Sequence, residues 1–271
     1  MKKIIFYFCL LLFVSCEKQA EWPIQAEETP RIVIDGILTN ESGTHSIHVC
    51  RTVSELNMTP QAVSGAGVII SDADSSWFLT EQPGNPGFYI TKNNFSAKPG
   101  VLYTLLVTSE GTVYSAKTQS VPVTPFENLR YGKNPGESLY HITWVANPYN
   151  AIHPAMYEIL LDWSQLPEYS TQDSASCTAR LFYYSLPTLD VSEVFAPEIE
   201  RIKFPAGTKI TERKYSLTKE HVDFVRAMIS ETTWKGGLFD SAPANVPTNI
   251  SNGALGFFAA CNVITVSLVV Q

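Results

Sequence analysis

The sequence predicts a mainly β fold, an N-terminal immunoglobulin-like β-sandwich followed by a second mostly-β unit with one inserted helix. Three observations carry this expectation. Apolar and β-branched residues recur in short runs, and Gly, Pro, Asn and Asp fall between those runs as turn formers. Helical periodicity stands out only once, over 218–234. The 271 residues are enough for one large or two modest domains.

The chain opens with MKKIIFYFCLLLFVSC. Lys2 and Lys3 form a basic start, and the apolar run after them is too short to span a bilayer as a helix. Ser15 followed by Cys16 resembles the lipobox of bacterial lipoproteins, although Phe13 replaces the usual Leu. Residues 1–15 are therefore expected to be a lipoprotein signal peptide, with Cys16 the site of lipid attachment. More than one acyl chain would anchor the protein stably to a membrane. Residues 16–30 are polar and acidic with recurring Pro, which suits an extended tether. Acid residues behind a lipidated Cys resemble the export signal of Bacteroidetes lipoproteins that face outward. Cleavage removes Lys2 and Lys3, taking 19 basic side chains to 17 against 26 acidic ones and the net charge from −7 to −9. A surface this acidic is repelled by phosphates, so nucleic acid is excluded as a partner.

Seven strand signals follow, at 31–39, 45–52, 66–71, 77–81, 88–91, 102–109 and 112–118. Seven short strands with turns at this spacing suit an immunoglobulin-like sandwich over 31–121. Its single Cys50 rules out the inter-sheet disulfide of antibody domains. Pro122 and Pro125 mark the boundary. A second unit is expected over 126–271. Its strand signals are 138–147, 155–163, 179–185 and 208–217, the last polar enough to suggest a sheet edge. In the helix 218–234, Thr218 is the candidate N-cap, and Val222, Val225 and Ile229 share a face. The final run 253–270 reads as two strands broken near Cys261 and Asn262, apolar enough to be buried on both faces.

Chemical signatures are sparse. After removal of Cys9 and acylation of Cys16, Cys50, Cys177 and Cys261 remain, and Cys177 with Cys261 is the candidate disulfide. His45 and His48 would face opposite sides of a strand, and no histidine spacing suggests a metal site. Asp72 and Asp74 lie in a turn without the ligand set calcium needs. No cofactor and no nucleophile motif is expected. Glu158 and Asp162 share a strand face, the one hint of a surface hydrolase. Of the neighbours Tyr183 and Tyr184, one should leave the core.

The segment 240–258, with Asn245, Pro247, Asn249, Asn252, Gly253, Gly256, Phe257 and Phe258, resembles the late hallmark of a Bacteroidetes lipoprotein family, domain of unknown function 4249. Ile34-Asp35-Gly36, Gly65-Ala66-Gly67, Gly87-Phe88-Tyr89 and Pro99-Gly100 are similar too, in the family's order. The resemblance implies an outer-membrane lipoprotein, often encoded beside a TonB-dependent transporter, with no assigned active residues. The expected function is thus a non-enzymatic, surface-exposed accessory or ligand-binding partner of such a transporter. A structural or adhesive surface protein is the alternative. Asn245, Asn249, Asn252, Phe257 and Phe258 form the candidate recognition patch. Adjacent Phe residues on a strand cannot both face one core, so one needs a partner or a covering element.

Overall fold

The computed structural model describes residues 29–54, 58–92, 94–187, 202–232 and 246–271. The expected signal peptide, Cys16, most of the tether and Asn245 lie outside them. The first unit contains β1 (Ile32–Thr39), β2 (Ser46–Arg51), β3 (Gly67–Ser71), β4 (Ser76–Glu81), β5 (Phe88–Thr91), β6 (Leu102–Ser109) and β7 (Thr112–Gln119). These are the seven strands the alternation predicts. In β6, Tyr103, Leu105 and Val107 are buried while the residues between them are more open. In β1 the inward series breaks at Gly36, where a Cβ would lie 2.2 Å from Cδ1 of Ile47 on the paired strand. The Ile47 side chain fills the place a residue there would need.

The second half of the chain contains β8 (Arg130–Gly132), β9 (His141–Trp144), β10 (Ala155–Asp162), β11 (Thr178–Ser185), β12 (Lys209–Ser216), α1 (Lys219–Thr232), β13 (Leu255–Cys261) and β14 (Val263–Val269). Two 3-10 turns, Pro167–Tyr169 and Ser174–Cys177, precede β11. Thr218 Oγ1 accepts from His221 N at the start of α1, as an N-cap should. Among the described residues no helix is long and apolar enough to cross a membrane.

Three sheets form. Eight strands run in the order β13-β1-β2-β5-β4-β3-β6-β7, four in the order β11-β10-β12-β14, and β8 pairs β9. The eight-stranded sheet wraps one core to which every strand from β1 to β7 contributes, giving a β-sandwich-like body. Its two edges meet: Thr118 Oγ1 in β7 accepts from Ala260 N in β13 at 3.1 Å. Among the described residues the fold is mainly β with one α-helix, as the sequence predicts.

Two expectations are corrected. The last run, assigned wholly to the second unit, divides: β13 pairs parallel with β1, Asp35 against Phe257, and only β14 joins the four-stranded sheet. The polar strand expected at an edge, β12, lies between β10 and β14. Glu212 and Lys214 are buried within it, each bonded to a group outside the strand.

Candidate functional site

Two of the places where the chain passes between the units lie side by side: the segment after β7, and Asn262, which alone separates β13 from β14. They are bonded to each other. The Val121 carbonyl accepts from Ser216 Oγ and Asn262 Nδ2, both at 2.7 Å. Ser216 Oγ also accepts from Asn262 N at 3.0 Å, and Ser216 N donates to Asn262 O at 2.9 Å. On another side of the junction, Asn40 Oδ1 accepts from Val263 N at 2.6 Å. Glu41 pairs with Arg213 and accepts from Thr265. Interlocked buried polar groups of this kind favour one arrangement over its neighbours.

A cleft of about 1000 Å³ opens beside this junction. Its walls come from the end of β7, the segment 121–124, the loop 151–154, the end of β12 and the first turns of α1. Apolar surface is supplied by Val121, Pro122, Val123, Ile152 and Pro154. Lys117, Lys214, Lys219 and Arg226 line it together with Glu220 and Asp223, a cationic excess in a chain that is acidic as a whole. Lys219 is tied to Asp223 at 2.9 Å.

Lys214 differs from the rest. It is only 4% exposed, and its Nζ donates to Thr124 O at 3.0 Å and Thr124 Oγ1 at 2.9 Å. Among the described residues it pairs with no carboxylate. Burial pulls its pKa below the ordinary lysine value. Glu212, two residues earlier, is also buried, and burial pushes its pKa up to about 7. Its Oε2 accepts from Leu129 N at 3.1 Å, while Oε1 has no partner.

The residues singled out in the sequence are dispersed by the fold. Asn249 acts as a substitute strand: its Oδ1 accepts from Phe258 N at 3.0 Å, and its Nδ2 donates to Phe258 O at 2.7 Å and Lys117 O at 3.3 Å. Ser251 N donates to Ser115 O, and Asn252 Nδ2 to Val113 O. Alternate carbonyls of the β7 edge are thereby sealed. Asn252 takes φ 55°, the left-handed region that asparagine tolerates. Phe258 is fully buried in the first core, and Phe257 is 6% exposed on the opposite face of β13. The covering element for Phe257 is α1, with Phe224 and His221 stacked on it at 4.8 and 5.1 Å. Asn249 and Phe257 border the cleft; Asn252 and Phe258 do not.

The expected disulfide is absent. Cys177 and Cys261 are free thiols in different cores, Cys177 beside Trp163 and Cys261 against His221 Nδ1 at 3.8 Å. They belong to opposite faces of the four-stranded sheet. Burial pushes the Cys261 thiol up to about 12 and the His221 imidazole down to about 4, so the pair is neutral and carries no activated thiolate. Glu158 does not face a catalytic partner either. It is held by Arg180 at 2.5 Å, Arg213 at 2.7 Å and the Tyr215 hydroxyl at 2.6 Å, and these partners outweigh burial and lower its pKa. Asp162 accepts from Ser164 instead.

The profile described as Domain of unknown function (DUF4249) matches residues 17–267. The chain belongs to the DUF4249 family. No curated protein matches it. A solved structure titled "Cytokine receptor complex - Crystal form 1A" is similar over 68% of this chain and 82% of that one, at 10% identity and a TM-score of 0.23. A likeness that low says nothing of this DUF4249 chain's function. Lys214, Thr124, Ser216 and Asn262, which build the cleft and its junction, carry no motif. Their only sequence signal is an ionisable triplet, Glu212-Arg213-Lys214, inside a strand with Ile210 and Tyr215.

Proposed function

We propose that this DUF4249 protein is a lipid-anchored outer-membrane lipoprotein facing the exterior, without enzymatic activity, that serves a TonB-dependent transporter as a ligand-binding accessory. The observation that carries the binding role is the cleft between the two units. It is concave, bounded by segments of both, and seated beside a hydrogen-bonded junction that holds its walls in place. The anchor rests on the Ser15-Cys16 junction behind a short apolar run, and the transporter on the family resemblance. The test is purification from native membranes in mild detergent followed by mass spectrometry, with Cys16→Ser alongside. The expected result is a stoichiometric barrel with the parent chain and release of the variant into the soluble fraction. A parent chain that comes out alone would overturn the partnership. A variant that stays on membranes without a barrel would overturn the anchor.

A further inference from the structure

Buried cations are ordinarily paired with anions, because removing a charge from water is costly unless another charge or a full set of hydrogen bonds replaces the solvent. Lys214 is 4% exposed and, among the described residues, lacks that anion. Two of its three ammonium hydrogens go to Thr124, leaving one donor without a partner among the described residues. The flanking Phe126 and Tyr157 rings, each 5.9 Å from Nζ, supply only weak compensation. Lys214 and Thr124 both line the cleft, which sets the ammonium in its wall. The surrounding surface is apolar through Val121, Pro122 and Val123, and Ile152 is 79% exposed at the same cleft.

We propose that the cleft binds an amphipathic carboxylate, the acid group completing the hydrogen bonds of Lys214 and the apolar body lying along Val121, Pro122, Val123 and Ile152. This rests on the reading of the cleft as a ligand site and adds the chemistry of the ligand. One open donor matches one carboxylate oxygen. A phosphate dianion would need more donors than the one that Lys214 leaves open. A sugar would need open aromatic faces, and the cleft's one aromatic, Phe257, is covered by α1.

The test uses the full chain as its soluble Cys16→Ser form, titrated calorimetrically with decanoate, decanol and decyltrimethylammonium. Decanoate should bind about tenfold or more tighter than decanol, the range expected for a hydrogen bond to a charged donor. Lys214→Met should abolish that preference while decanol binding persists. Because a buried substitution can unfold the protein, Lys117→Glu on the exposed rim provides a second variant, expected to weaken decanoate and leave decanol unchanged. Equal binding of decanoate and decanol to the parent would overturn the carboxylate assignment and leave an apolar ligand cleft standing. Preference for the trimethylammonium, or no binding of any probe, would overturn it as well. Barrel recovery from native membranes judges the transporter reading separately.

Discussion

Asn249 shows how much one side chain can carry when it replaces a stretch of sheet. Its amide serves both backbone groups of Phe258 and one carbonyl of β7. Asn249→Ala would strand three polar groups and should lower stability by about 2–3 kcal/mol, read from urea denaturation. Asn249→Asp should fare no better, since a carboxylate cannot donate to the two carbonyls. Two buried ionisable groups give a second prediction. Glu212 rises to about 7 from 4.5, so its contribution is fully present below pH 4.5 and lost as pH rises through 7. His221 falls to about 4 from 6.5, so its contribution is present above pH 6.5 and lost as pH falls through 4. Between 4.5 and 6.5 the two slopes oppose. Denaturation midpoints of Glu212→Gln should therefore rise with pH across that window, and those of His221→Gln should fall. Parallel curves for parent and both variants would contradict the assignment. The asparagines were legible as a turn-rich loop, because Asn and Gly mark positive φ. Their partners were not, because a side chain's distant acceptor leaves no local pattern.

Strand positions were legible almost throughout, because alternation and turn residues are local. Pairing was less so. In β12 the sequence shows charges and suggests an edge, yet Glu212, Arg213 and Lys214 each reach a partner from outside the strand, at Leu129, Glu41 and Thr124. In β13 the apolar run correctly indicates burial on both faces, while the identity of its neighbour depends on β1, 222 residues away at Asp35 and Phe257. Gly256 makes that pairing possible. It takes φ +92°, and a Cβ there would lie 2.2 Å from the Ile34 carbonyl oxygen and 2.7 Å from Asp35 Oδ1. Gly256→Ala should cost on the order of 3 kcal/mol through strain and backbone displacement. Hydrogen exchange should show lost protection concentrated in β1 and β13. Loss confined to α1 would point to another cause.

At the scale of the molecule, a boundary at 121–126 marks where the chain first changes sheets, but the first body is completed only by β13. Phe258 and Ala260 belong to its core, and Asn249 and Asn252 seal its β7 edge. A fragment of residues 29–125 should therefore lack a cooperative thermal transition and bind a hydrophobic dye. Addition of a peptide covering 246–262 should restore the transition. A fragment that melts cooperatively alone would show that β13 is dispensable. The division was only half visible in the sequence, since composition reveals a linker and not a strand that crosses back.

The parallel pairing of β1 with β13 also bears on synthesis. Synthesis from the N-terminus delivers β1 long before β13. One flank of β1 then waits, unpaired, while more than two hundred residues follow. Closure of the longest loop in the fold comes at the end, which slows folding and lengthens the exposure of an open strand edge. The finished sheet becomes available only when nearly the whole chain has been made.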